Sequence, residues 1–105
     1  MADVRSLLIL LRRELERLYG NRLAALFLFG SYARGEADAE SDLDVLIVLR
    51  DFDRYGAEVD VTSHIVADLS LKNGVTINSV FVRERDWQSG ESGFLRNVRE
   101  EAIAA

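Results

Sequence analysis

Residues 23–49 read LAALFLFGSYARGEADAESDLDVLIVL, and this stretch decides the fold. The run from Leu23 to Phe29 is apolar throughout and is followed by glycine, which is typical of a strand buried on both faces of a mixed or parallel sheet. From Gly30 to Ser41 the residues are mostly small, polar and acidic, and a second apolar run extends from Leu43 to Leu49. The pattern predicts two buried strands joined by an acidic loop.

Helical periodicity flanks these strands. Asp3 is a residue type that caps helices, and the apolar positions after it recur at steps of three and four until Gly20-Asn21. These positions are Val4, Leu7, Leu8, Leu11, Leu15 and Leu18. A second helical pattern ends at the cap signal Asn73-Gly74. Its repeating positions are Tyr55, Val59, Thr62, Val66 and Leu69.

The C-terminal third of the chain predicts two further elements. Val75 to Val82 is rich in β-branched residues and predicts a third strand, and Ser92 to Ala104 predicts a last helix. The order α, β, acidic loop, β, α, β, α indicates an α/β domain of two or three layers. We expect one domain over residues 1–105, because no linker-like composition interrupts the chain.

Composition excludes several classes of site. The 105 residues include no cysteine, so disulfides and thiolate metal sites are impossible. The net charge of −5 has the wrong sign for a protein that coats nucleic acid, and we expect no direct nucleic-acid binding. The apolar runs are far shorter than the roughly 18 to 20 residues that span a bilayer. A cytoplasmic protein is therefore expected.

The acidic loop carries the candidate chemistry. Residues two apart in a strand point to one face, so Asp42 and Asp44 present two neighbouring carboxylates, which are the oxygen ligands that Mg²⁺ prefers. Gly30 lets the backbone approach an anion, and the Ser31 hydroxyl and nearby N–H groups are suited to phosphate. Together these features suit metal-assisted nucleotidyl transfer.

Each of these signals is weak when it is taken alone. Acidic residues are common at strand starts and in solvated loops, and an Asp-x-Asp pair does not by itself indicate catalysis. An EF-hand loop beginning at Asp38 is excluded, because Leu43 and Leu49 stand where glycine and glutamate are required. The P-loop and dinucleotide-binding glycine patterns do not occur in the sequence.

The conjunction of the motifs is more specific. Gly30-Ser31, ten further residues and Asp42-x-Asp44, set between two apolar strands, resemble the signature of the polymerase-beta-like nucleotidyltransferases. The size of the chain and the residues Arg34-Gly35 resemble their minimal (MNT) branch, and the likeness extends from about Leu23 to Trp87. The resemblance implies a small mixed β-sheet with flanking helices.

The resemblance also implies a function. Proteins of this branch are antitoxins that use ATP and Mg²⁺ to transfer AMP onto a tyrosine of a HEPN-domain ribonuclease toxin. Carried over to this sequence, Gly30, Ser31 and Arg34 bind the nucleotide, and the catalytic residues Asp42 and Asp44 hold two metal ions. The implied partners are ATP and the toxin, with which the protein forms a hetero-oligomer.

One residue departs from the pattern. The resemblance implies a third carboxylate on the third strand, where this sequence offers only Asn78. An amide neither accepts a proton nor carries charge. Two functions therefore stay open: an adenylyltransferase antitoxin, and a weakly active or inactive antitoxin that binds and occludes the toxin.

The first predicted helix carries two apolar residues outside its apolar stripe, Ile9 and Leu10. They indicate a surface that a partner covers.

Overall fold

A four-stranded mixed sheet organises the chain. The computed structural model describes residues 3–105, whereas Met1 and Ala2 of the predicted domain lie outside the described residues. The elements in chain order are α1 (Val4–Tyr19), a 3₁₀ turn (Gly20–Arg22), β1 (Leu23–Phe29), α2 (Ser31–Arg34), β2 (Leu43–Leu49), α3 (Tyr55–Asn73), β3 (Ile77–Arg83), α4 (Glu84–Ser89), α5 (Gly93–Glu101) and β4 (Ile103–Ala104).

The order of strands across the sheet is β3-β2-β1-β4. Strand β2 is antiparallel to β1 and parallel to β3, and β4 is antiparallel to β1 on its other side. As a result, the end of β1 and the starts of β2 and β3 lie at the same edge of the sheet. The acidic loop enters the sheet at this edge.

Helices cover both faces of the sheet, which gives three layers rather than two. Leu43, Val45, Ile47 and Leu49 of β2 belong to the core shared with α1 and α3. The alternate residues Leu46 and Val48 belong to a second core with Val98 of α5. Side chains of a strand alternate between faces, so β2 is buried on both sides, as its apolar residues after Asp44 predict.

The predicted bounds of β1 and β2 are confirmed, and so is the existence of both long helices. The predicted face of α3 is confirmed at Thr62 and Leu69, which are buried. Val59 is exposed instead, and its neighbour Glu58 is buried. The Oε1 atom of Glu58 accepts a hydrogen bond of 2.8 Å from the Tyr19 hydroxyl, which explains why α3 turns a carboxylate inward. In α1, Leu18 is likewise exposed and Tyr19 is buried in its place.

The C-terminal third differs most from the prediction. Strand β3 begins at Ile77 rather than Val75, and α4 was not predicted. The last helix ends at Glu101, and the residues after it pair with β1 as a short edge strand instead of continuing the helix. None of the helices in residues 3–105 is long and apolar enough to cross a membrane.

Candidate functional site

The turn after β1 is built on Gly30. Its φ of 76° and ψ of −157° lie in a region that is essentially restricted to glycine, and its carbonyl accepts hydrogen bonds from the amides of Ala33 and Arg34. A Cβ at this position would collide with the Asp44 carboxylate. The absence of a side chain therefore lets the backbone of Gly30 lie directly against an acidic group.

Asp44 lies at the centre of the site. It pairs in register with Phe29 at the end of β1 and with Asn78 on β3. Asn78 Nδ2 donates a hydrogen bond of 3.2 Å to Asp44 Oδ1. The structure therefore brings together Asn78, where the resemblance implies a third carboxylate, and one of the two predicted metal ligands.

Asp42 lies just outside β2 and is exposed, whereas Asp44 is half-buried inside the strand. In residues 3–105 no three or more histidine, cysteine, aspartate or glutamate side chains are grouped so that they could hold a metal ion. The oxygen ligands that the chain offers here, on Asp42 and Asp44, nevertheless match the chemistry of Mg²⁺, which commonly binds one or two carboxylates together with substrate phosphates. The site fits a metal ion that arrives with a nucleotide.

Ser31 and Arg34 are the first and last residues of α2. Ser31 is half-buried beside Gly30. The guanidinium group of Arg34 is paired with two carboxylates: Nη1 lies 2.9 Å from Glu101 Oε2, and Nε lies 3.2 Å from Glu36 Oε1. The hydrogen bond to Glu101 raises the pKa of Arg34 above its usual range.

Glu101 is a site residue that sequence reasoning missed. Its Oε1 atom accepts a hydrogen bond of 2.9 Å from the amide of Gly30, 71 residues away in sequence. Its pKa is lowered, first by the hydrogen bond from Arg34 and then by that from Gly30. No motif marks Glu101 in the sequence, since it is one of two adjacent glutamates at the end of a charged helix.

The family follows from a comparison with known proteins. The model of the nucleotidyltransferase domain family matches residues 8–102. The chain belongs to this family. The predicted resemblance to this family and the predicted class of enzyme, a nucleotidyltransferase, are therefore confirmed. The match includes every residue of the candidate site.

Two relatives resemble the chain over most of its length. MJ0604, a candidate protein adenylyltransferase of Methanocaldococcus jannaschii, is 39% identical over 93 residues, which are 83% of this chain and 82% of the relative. The protein adenylyltransferase MntA of Thermococcus cleftensis is 26% identical over 103 residues, 98% of this chain and 93% of the relative.

Solved structures share the fold at low sequence identity. A toxin–antitoxin structure with AMP-PNP has a TM-score of 0.63 and 19% identity, over 90% of this chain and 68% of that chain. A complex of a tri-AMPylated HEPN toxin of Shewanella oneidensis with an MNT antitoxin has a TM-score of 0.50 and 17% identity, over 93% of this chain and 70% of that chain. The predicted fold class is confirmed by this likeness.

Proposed function

We propose that the protein transfers AMP from ATP to a tyrosine hydroxyl of a cognate HEPN-domain toxin and thereby acts as its antitoxin. The contact between the Gly30 backbone and the Asp44 carboxylate carries the proposal. It places a turn that an anion can approach next to a ligand for a divalent cation. The names of the relatives and of the solved complexes support the same activity.

Each residue of the site has a proposed task. Asp42 and Asp44 would hold two Mg²⁺ ions, which would supply positive charge to neutralise the triphosphate and the pyrophosphate leaving group. The Ser31 hydroxyl and the Arg34 guanidinium bind the phosphates, and the Gly30 turn, whose amide donates to Glu101, holds these groups in place. The acceptor oxygen forms a bond to the α-phosphorus as the bond from that phosphorus to pyrophosphate breaks, and the acceptor proton is released.

Asn78 favours tyrosine as the acceptor. A carboxylate at this position would take the proton of the attacking hydroxyl, but an amide does not. A phenol has a pKa of about 10 and loses its proton far more readily than the hydroxyl of serine or threonine. A site with Asn78 beside Asp44 therefore suits an acceptor that needs little help from a base. Because the reaction consumes ATP, we place it in the cytoplasm. We propose that the protein forms a hetero-oligomer with the toxin, which is its substrate.

Label transfer tests the proposal. The purified protein is incubated with Mg²⁺, the toxin encoded by the neighbouring gene, and ATP labelled at either the α- or the γ-phosphate. We expect only the α-label to reach the toxin, and replacement of the acceptor tyrosine by phenylalanine to abolish labelling. Asp44→Asn should lower the rate by about a hundredfold or more. Asp60→Asn, on the exposed surface of α3, is the matched control and should leave the rate unchanged.

Neutralisation by occlusion is the second candidate, and the position of Asn78 favours it. The amide replaces the third charge of the site and already donates to Asp44. In this case no label reaches the toxin, yet the toxin remains inhibited by the double variant Asp42→Asn, Asp44→Asn. The 54% exposed Ile9 side chain would then contribute to the interface, and Ile9→Asp should weaken the complex.

A further inference from the structure

Glu101 extends the pairing between β4 and β1 by means of its side chain. The register pairs Phe27 with Ala104 and Leu28 with Ile103. Continued by two residues, the register brings Glu101 opposite Gly30, where the backbone of Glu101 is already helical. Its carboxylate accepts the hydrogen bond from the Gly30 amide that a strand carbonyl would otherwise accept.

The position of Glu101 in α5 is unfavourable for a carboxylate. Glu101 is the last residue of α5, and the negative end of the helix dipole disfavours an anion there. The compensation comes from outside the helix, because the two carboxylate oxygens accept from the Gly30 amide and from the Arg34 guanidinium, both at 2.9 Å. Hydrogen bonds to charged groups are the stronger kind in proteins.

Gly30 is consequently held from two sides. The Asp44 carboxylate on β2 lies against its α-carbon, and Glu101 next to β4 accepts from its amide. Glycine has the largest conformational freedom of any residue and needs such restraint to keep one geometry. The same carboxylate holds Arg34, so one side chain fixes both the first and the last part of the turn.

We propose that Glu101 is a positioning residue for nucleotide binding, which holds the Gly30 turn and the Arg34 guanidinium in the geometry that receives the triphosphate. This inference rests on the proposed function. Glu101 acts through its two donors and does not touch the reacting atoms. Its loss should therefore weaken binding of the nucleotide and leave the rate at saturating nucleotide almost unchanged.

The test compares Glu101→Ala, Glu101→Gln and the control Glu100→Gln, an exposed neighbour in the same helical turn. Calorimetry measures the Kd for Mg²⁺ with AMP-PNP, and label transfer gives KM and kcat. We expect Glu101→Ala to raise Kd and KM about tenfold, with kcat within about twofold of the original value. Glutamine has one acceptor oxygen for two donors, so an intermediate effect is expected, and Glu100→Gln should have none.

Two further measurements separate positioning from general stability. In an Arg34→Ala background, Glu101→Ala should add less than it does alone, because the two residues act as one unit. The Gly30 amide should exchange its hydrogen faster in Glu101→Gln, while the amides at the centre of β2 should not change.

The outcomes distinguish this inference from the proposed function. If the unmodified protein does not bind Mg²⁺ with AMP-PNP, the proposed function fails. If it binds and Glu101→Gln leaves both the affinity and the Gly30 exchange unchanged, the positioning role is overturned. Tighter binding by the folded Glu101 variants also overturns it, because the carboxylate would then compete with phosphate. Glu101→Gln decides the matter even where the alanine variant does not fold.

Discussion

Two glycines of this chain adopt positive φ near the candidate site, but only one of them is packed against a functional group. Gly30 meets the Asp44 carboxylate, whereas a Cβ on Gly35 would meet no atom within 4 Å. Their φ values are similar, at 76° and 72°. Because ψ is −157° at Gly30 and 23° at Gly35, a side chain is more strained at Gly30, where it would also displace Asp44.

We expect Gly35→Ala to lower the free energy of unfolding by about 1 kcal/mol, from backbone strain alone. Gly30→Ala should lower it by about 3 kcal/mol, because it combines strain with a clash, and it should also abolish nucleotide binding. Urea denaturation and calorimetry with AMP-PNP measure the two effects. Equal losses for the two variants would contradict the structural role of the Gly30–Asp44 contact.

Asn78→Asp restores a third carboxylate next to Asp44. Without Mg²⁺ the added charge should destabilise the protein, by about 1 kcal/mol, and addition of Mg²⁺ should raise Tm more than in the unmodified protein. The rate of AMP transfer should rise about tenfold or more, since a base becomes available. Asn97→Asp on the exposed face of α5 is the control. A shift of Tm with Mg²⁺ equal to that of the unmodified protein would count against a metal at Asp44.

Not every residue of the site is predictable from the sequence. Gly30, Ser31, Asp42 and Asp44 lie close together in sequence, between the end of β1 and the start of β2, so their spacing predicts that they lie at the same edge of the sheet. Glu101 reaches Gly30 across 71 positions, through a strand pairing that no local pattern encodes.

Among the helices and strands, the long ones were predictable from the sequence and the short ones were not. Strands β1 and β2 are seven residues long and apolar except for Asp44, and they were predicted at their observed bounds. Strand β4 has two residues and α4 has six, too few for any periodicity to emerge. The buried face of α3 differs from the prediction at Val59, because its neighbour Glu58 is buried and stabilised by a tyrosine on another helix.

The hydrogen bond between Tyr19 and Glu58 links α1 to α3 inside the core. Tyr19→Phe removes one donor to a buried carboxylate and should cost about 1 to 2 kcal/mol of unfolding free energy. Chemical denaturation at neutral pH measures this loss. A loss well below this range would mean that Arg22, 3.7 Å from Glu58 Oε2, compensates for the missing donor.

Tyr19 also makes the free energy of unfolding depend on pH. Burial, followed by the hydrogen bond to Glu58, raises the pKa of Tyr19 in the folded protein. Above a pH of about 10 the unfolded chain loses this proton while the folded chain keeps it, so stability should fall as pH rises. Tyr19→Phe should fall less steeply over this range. Parallel curves for the two proteins would contradict the raised pKa.

Across the whole molecule, the least stable strand of the sheet is β4, which lies next to Glu101 and the Gly30 turn. Leu46 and Ile47 of β2 are fully buried, whereas both residues of β4 are exposed. Hydrogen exchange of amides should therefore be slowest in β2 and fastest in β4, and nucleotide should slow exchange in α5 and β4. Mass spectrometry of exchanged peptides measures this order. Uniform exchange across the four strands would contradict it.

The candidate site lies far from the loop between β2 and α3, because the length of the strands separates them. All candidate site residues lie at the edge where β1 ends and β2 begins, and the connection from β2 to α3 lies at the other end of strands that are about 20 Å long. Asp53 and Arg54 in that connection are exposed. A fluorescent reporter inserted between them should thus leave catalysis intact, which makes this loop a practical attachment point for following the protein in living cells.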